Sequence, residues 1–87
     1  MIEKKVYSGY AFTENSDEKI KINREIYEEI KDKAKVEFHH AGYGYAAYKV
    51  IDNPEHLSSI ELALICDSGN LCFGCRMKGE LIVIHTD

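Results

Sequence analysis

No apolar run in this sequence exceeds five residues; the longest is Leu62-Ala63-Leu64-Ile65-Cys66. A helix crossing a bilayer needs roughly 20, so a soluble chain is expected. Its core must come from short segments that each bury one face. The opening Met1-Ile2-Glu3-Lys4-Lys5-Val6 lacks the apolar stretch of a signal peptide. Three cysteines, an odd number, argue for reduced thiols rather than a disulfide framework. The expected location is the cytoplasm.

With 87 residues, the chain is read as one domain, 1–87, with a thin core. Small domains often add a metal or a partner subunit, and a homo-oligomer is expected here. Lys plus Arg is 11 and Asp plus Glu is 15, a net charge of −4. That sign argues against binding a nucleic-acid strand through a basic surface. Nine lysines to two arginines, with ten isoleucines, hint at an AT-rich bacterial or phage genome.

Glu3–Thr13 is rich in Val, Tyr, Phe and Thr and reads as a strand, with Val6, Tyr10 and Phe12 on one face. Residues 14–18 read as a loop and 19–22 as extended. Asn23 suits an N-cap, Glu25 the first turn, and Ile22 with Tyr27 a hydrophobic staple. Ile26, Ile30 and Ala34 follow at helical spacing, so a helix is predicted over about 24–35. Glu29 and Lys33 would pair at i,i+4, while Glu28 and Asp32 would repel. Val36 to Phe38 and Tyr45 to Ile51 read as strands, the second broken before Pro54.

Residues 58–68 carry both patterns. Alternation suits a strand, whereas Ser58-x-x-Glu61 is a capping box and Gly69 fits a C′ position. A short, largely buried helix is preferred. Leu71–Met77 and Leu81–Thr86 then form a hairpin around Lys78-Gly79-Glu80. The expected fold is α+β: a small, mostly antiparallel sheet of four to five strands with two helices packed on one face, in the order β-α-β-α-β-β.

Cys72-Phe73-Gly74-Cys75 has the spacing of zinc and redox sites, and Cys66 and His85 could complete a ligand set. On a regular strand, however, Cys72 and Cys75 point to opposite faces. No metal or cofactor is therefore expected, and buried filler is the plainer role for these thiols. A two-residue loop at Lys78-Gly79 would set Cys72 opposite His85, a thiol beside an imidazole. A longer loop removes that contact. Adjacent His39 and His40 face opposite ways on an extended segment unless a turn intervenes.

Tyrosine is the unusual component, at six of 87 residues with no tryptophan. The stretch from Gly42 to Tyr48 sets Tyr43, Tyr45 and Tyr48 among small residues. Tyrosine combines an apolar face with a polar tip, as interfaces favour. The candidate binding residues are these three with His39 and His40, joined by Tyr7, Tyr10 and Arg76. No nucleotide-binding, hydrolase or metalloprotease motif is present. The expected function is a non-enzymatic interaction module, of the inhibitor or sequestering type found in phage and mobile elements. One alternative is a nucleotide-like ligand in a tyrosine-lined pocket; another is a small Cys/His-dependent or zinc enzyme.

Overall fold

Two helices and four strands follow one another in a computed structural model that describes residues 5–86. They are α1 (Ser16–Ile30), β1 (Lys35–Gly42), β2 (Tyr45–Asp52), α2 (Ser59–Cys66), β3 (Cys75–Lys78) and β4 (Leu81–His85). The strands form one antiparallel sheet in the order β1-β2-β4-β3. The fold is α+β, as expected, but its first element is a helix. No described helix is long and apolar enough to cross a membrane.

α2 is the centre of the molecule. It packs on β4, β1 and β3, and α1 packs on α2. A helix covered on two sides must be apolar all round, and Leu62, Ala63, Leu64 and Cys66 are all buried. Its start is the anticipated capping box, with both Ser58–Glu61 hydrogen bonds made. Its end is a Schellman turn: Gly69 N–H donates to Leu64 O at 3.0 Å and Ser68 N–H to Ile65 O at 3.4 Å. Ser68, at φ 52, therefore takes the C′ place assigned to Gly69. Gly69 is needed for another reason. A Cβ there would stand 3.2 Å from side-chain atoms of Arg24 and Tyr27 and 3.3 Å from the Arg24 Cα.

α1 starts eight residues earlier than the predicted Arg24, with Asp17 and Glu18 in its first turn, where the helix dipole favours acid. It stops at Ile30, so Ala34 and both predicted pairs that reach past residue 30 fall outside it. Asn23 is no cap. It lies mid-helix and fully buried, clasping the segment before α1. Tyr7 N–H donates to Asn23 Oδ1 at 2.9 Å, and Asn23 Nδ2 donates to Tyr7 O at 2.8 Å and Asn70 O at 2.9 Å.

That segment is the predicted first strand, and over its described part it is irregular. Its backbone makes two hydrogen bonds to the α2–β3 loop, Gly9 to Leu71 and Ala11 to Cys72, each 3.0 Å. Val6 and Tyr10 are buried as expected, whereas Phe12 is 95% exposed beside Phe73. Glu3 and Lys4 lie outside the described residues.

Candidate functional site

Residues directly opposite in antiparallel strands share a face. Val36, Tyr48, Val50, Ile82, Ile84 and Cys75 line the inner face against the helices. The outer face is built of three rows. Gly42, Tyr45 and His85 form the first; His40, Ala47, Val83 and Arg76 the second; Glu37, Lys49, Leu81 and Lys78 the third. Neither helix packs on this side.

The middle row makes a low floor. Ala47 and Val83 are buried beneath the longer side chains around them. His40 closes one end of this trough and Arg76 the other. Tyr45 and His85 form one wall; Lys49 and Lys78 form the other.

A bulge in β1 determines what stands at the His40 end. The register shifts between Phe38 and His40, leaving His39 as the extra residue. The bulge cancels one alternation and brings two side chains together. His39 and His40 were expected on opposite faces; instead their Nδ1 atoms are 2.7 Å apart. One nitrogen must carry the proton that the other accepts, which leaves both Nε2 atoms for other partners.

Tyr45 is fixed by a glycine. A Cβ on Gly42 would sit 2.7 Å from the Tyr45 Cζ and Oη, so the ring lies across the bare backbone of β1. His40 stands edge-on to that ring, at 5.6 Å between centroids and 82° between planes. Two nearly perpendicular rings side by side make a corner for a flat group.

Of the eight candidate residues, four share the outer face: His39, His40, Tyr45 and Arg76. Tyr43 is fully exposed on the β1–β2 turn beside it. Tyr48 leaves β2 on the opposite face from Tyr45 and packs edge-on to Phe38 at 5.7 Å; burial raises its hydroxyl pKa. Tyr10 is buried and donates to Asn70 O at 2.7 Å. Tyr7 is half-buried, with the Lys5 and Lys19 ammonium groups each 5.9 Å from its ring centre. Lys49, Lys78 and His85 belong to the face but were not among the candidates. Their period-2 placement beside Tyr45 and Arg76 was the signal available.

The cysteines lie elsewhere. β3 begins at Cys75, so Cys72 belongs to the preceding loop, and its thiol donates to the Tyr10 Oη at 3.7 Å. The β3–β4 turn is Gly79–Glu80 with Lys78 opposite Leu81, one residue later than the register that set Cys72 opposite His85. His85 N–H donates to Gly74 O instead, at 3.0 Å. Cys72 and His85 still border one open depression of about 210 Å³ with Asp67, and no hydrogen bond joins them. Burial pushes the Cys66 thiol up to about 12 and raises that of Cys75, which leaves both poor nucleophiles. Among the described residues, no three His, Cys, Asp or Glu side chains converge to hold a metal ion.

Comparison of the chain with known protein families, curated protein sequences and solved structures finds no match.

Proposed function

We propose that this chain is a non-enzymatic binding module and that the outer face of its sheet is the surface it offers to an anionic partner. One observation carries the reading: cations outnumber acids on the outer face of the sheet. Among the described residues of the four strands, Lys49, Arg76 and Lys78 stand in the outer-face rows with one carboxylate, Glu37. The acids of α1, among them Glu25, Glu28 and Glu29, belong to the helix layered beyond α2. Packed layers are about 10 Å apart, so that acid is about 20 Å from the outer cations. The screening length at physiological salt is about 8 Å, and the face therefore acts locally as a basic one. A module of this kind would inhibit or sequester by occupying its partner's contact surface.

The test is a pair of charge reversals titrated calorimetrically with polyglutamate, polyphosphate and an oligonucleotide at low salt. At least one polyanion should bind the wild type and fail to bind Lys49→Glu/Arg76→Glu. Glu25→Lys/Glu28→Lys, on α1, should keep that binding. If no polyanion binds, or if only the helix variant loses binding, the surface has been misassigned. Turnover of a nucleotide or ester abolished by Cys72→Ala or His85→Ala would overturn the non-enzymatic reading.

A further inference from the structure

Resting on that reading, we infer that the outer face takes single-stranded nucleic acid, with a base stacked on Tyr45 against His40 and the phosphates on Lys49, Arg76 and Lys78. Neither overall charge nor spacing along the chain points to this, because the groups concerned come from three different strands. The register gathers them around one trough.

The trough has suitable dimensions. Alternate residues on a strand are about 6.7 Å apart, so its walls are about 13 Å from each other. Across four strands it runs about 14 Å, room for a few nucleotides. Its two walls differ in chemistry: Tyr45 and His85 on one side, Lys49 and Lys78 on the other. A single strand has the same division, with bases along one edge and phosphates along the other.

The placement of Tyr45 favours a base over other anionic occupants. Its ring sits against the bare backbone of Gly42 and is only partly buried. Stacking on an exposed aromatic face is how single strands are held without sequence readout, and duplex bases are not free to do it. An acidic peptide would satisfy the cations but has no planar group for the corner of Tyr45 and His40. A second copy packed face to face would bring like charges together.

The experiment measures binding of labelled oligo(dT) of about 12 nucleotides by fluorescence anisotropy, with a duplex of equal length and polyglutamate alongside. The single strand should bind best. Three neutralised phosphates, at about 0.7 each, give a slope near −2 for log K against log salt. That slope is about a sixteenfold loss of affinity from 50 to 200 mM. Tyr45→Ala should weaken binding at least fivefold with the slope unchanged, and Tyr45→Phe should retain it. Arg76→Gln should make the slope shallower by about 0.7. Should Tyr45→Ala fail to fold, amide shifts of the wild type on adding oligo(dT) should map to β2 and β4 and leave α1 unmoved.

Equal binding of duplex and single strand, an unaffected Tyr45→Ala, or shifts confined to α1 would overturn the inference. Binding of polyglutamate alone, lost in Arg76→Glu, would overturn it while the binding-module reading stands. Failure of all three probes at low salt would remove both.

Discussion

Asn23 grips Tyr7 by both of its backbone polar groups, at 2.9 and 2.8 Å, and reaches Asn70 with the same side-chain amide. Helix, leading segment and α2–β3 loop thus meet in one side chain with no exposed surface. Asn23→Ala removes three hydrogen bonds, at about 1 kcal/mol each, and leaves the Tyr7 N–H and C=O without the side chain that pairs them, while Asn70 O keeps the Tyr10 hydroxyl. A loss of about 3 kcal/mol is expected in urea unfolding, or roughly 15 °C in melting temperature for a domain of this size. A loss under 1 kcal/mol would mean that water replaces the clasp.

Leu71 is fully buried at φ 60, a left-handed conformation that few bulky residues adopt. The Asp67 carboxylate holds it there by accepting its N–H at 2.7 Å. Leu71→Ala removes the apolar contacts and keeps the strained backbone, whereas Leu71→Gly removes both. The glycine variant should therefore be the more stable of the two by about 1 kcal/mol, against the usual penalty for glycine. Equal stabilities would show that the loop relaxes once the side chain is gone.

Burial raises the pKa of Asp67 above the ordinary carboxylate value, with the Leu71 N–H opposing the shift. A raised folded value means that the native state holds this proton more tightly than the unfolded chain does. Its contribution to stability is therefore present in strong acid and lost as pH rises through the folded value. Asp67→Asn keeps an acceptor for Leu71 and carries no charge. At pH 7 the variant should be at least as stable as the wild type, and that advantage should vanish near pH 3. Urea midpoints at pH 3, 5 and 7 decide it.

The Cys66 thiol, pushed up to about 12 from 9.0 by burial, makes the same argument at the alkaline end. Stability from its neutral form should hold below pH 9 and fall between pH 9 and 12. In the folded protein at pH 8, a thiol-reactive disulfide should leave Cys66 unlabelled; in urea it should label all three cysteines. Fast native labelling of Cys66, read by peptide mass, would contradict the burial.

These residues show which parts of the fold can be read from sequence. α2 was legible because its signals are local: Ser58 and Glu61 satisfy each other, and the apolar run between them and Ser68 fits any buried helix. α1 misleads because Asn23 has the chemistry of a cap, and its three hydrogen bonds go to residues 16 and 47 positions away. The leading segment has strand composition but lies against a loop, so composition alone cannot place it. Tyr45 and Arg76 were recognisable as candidates by residue type. The arrangement of the face was not, because a one-residue bulge has no compositional mark and the turn at Gly79–Glu80 had a competitor one residue earlier.

The bulge at His39 has a further consequence for the company this protein keeps. β1 is an outermost strand of the sheet, and an unbroken outermost strand invites another chain to add itself alongside. An extra residue interrupts the row of backbone donors and acceptors and twists the strand away from flatness. The residue that brings the two imidazoles together thus also helps keep copies of the protein from growing into one continuous sheet.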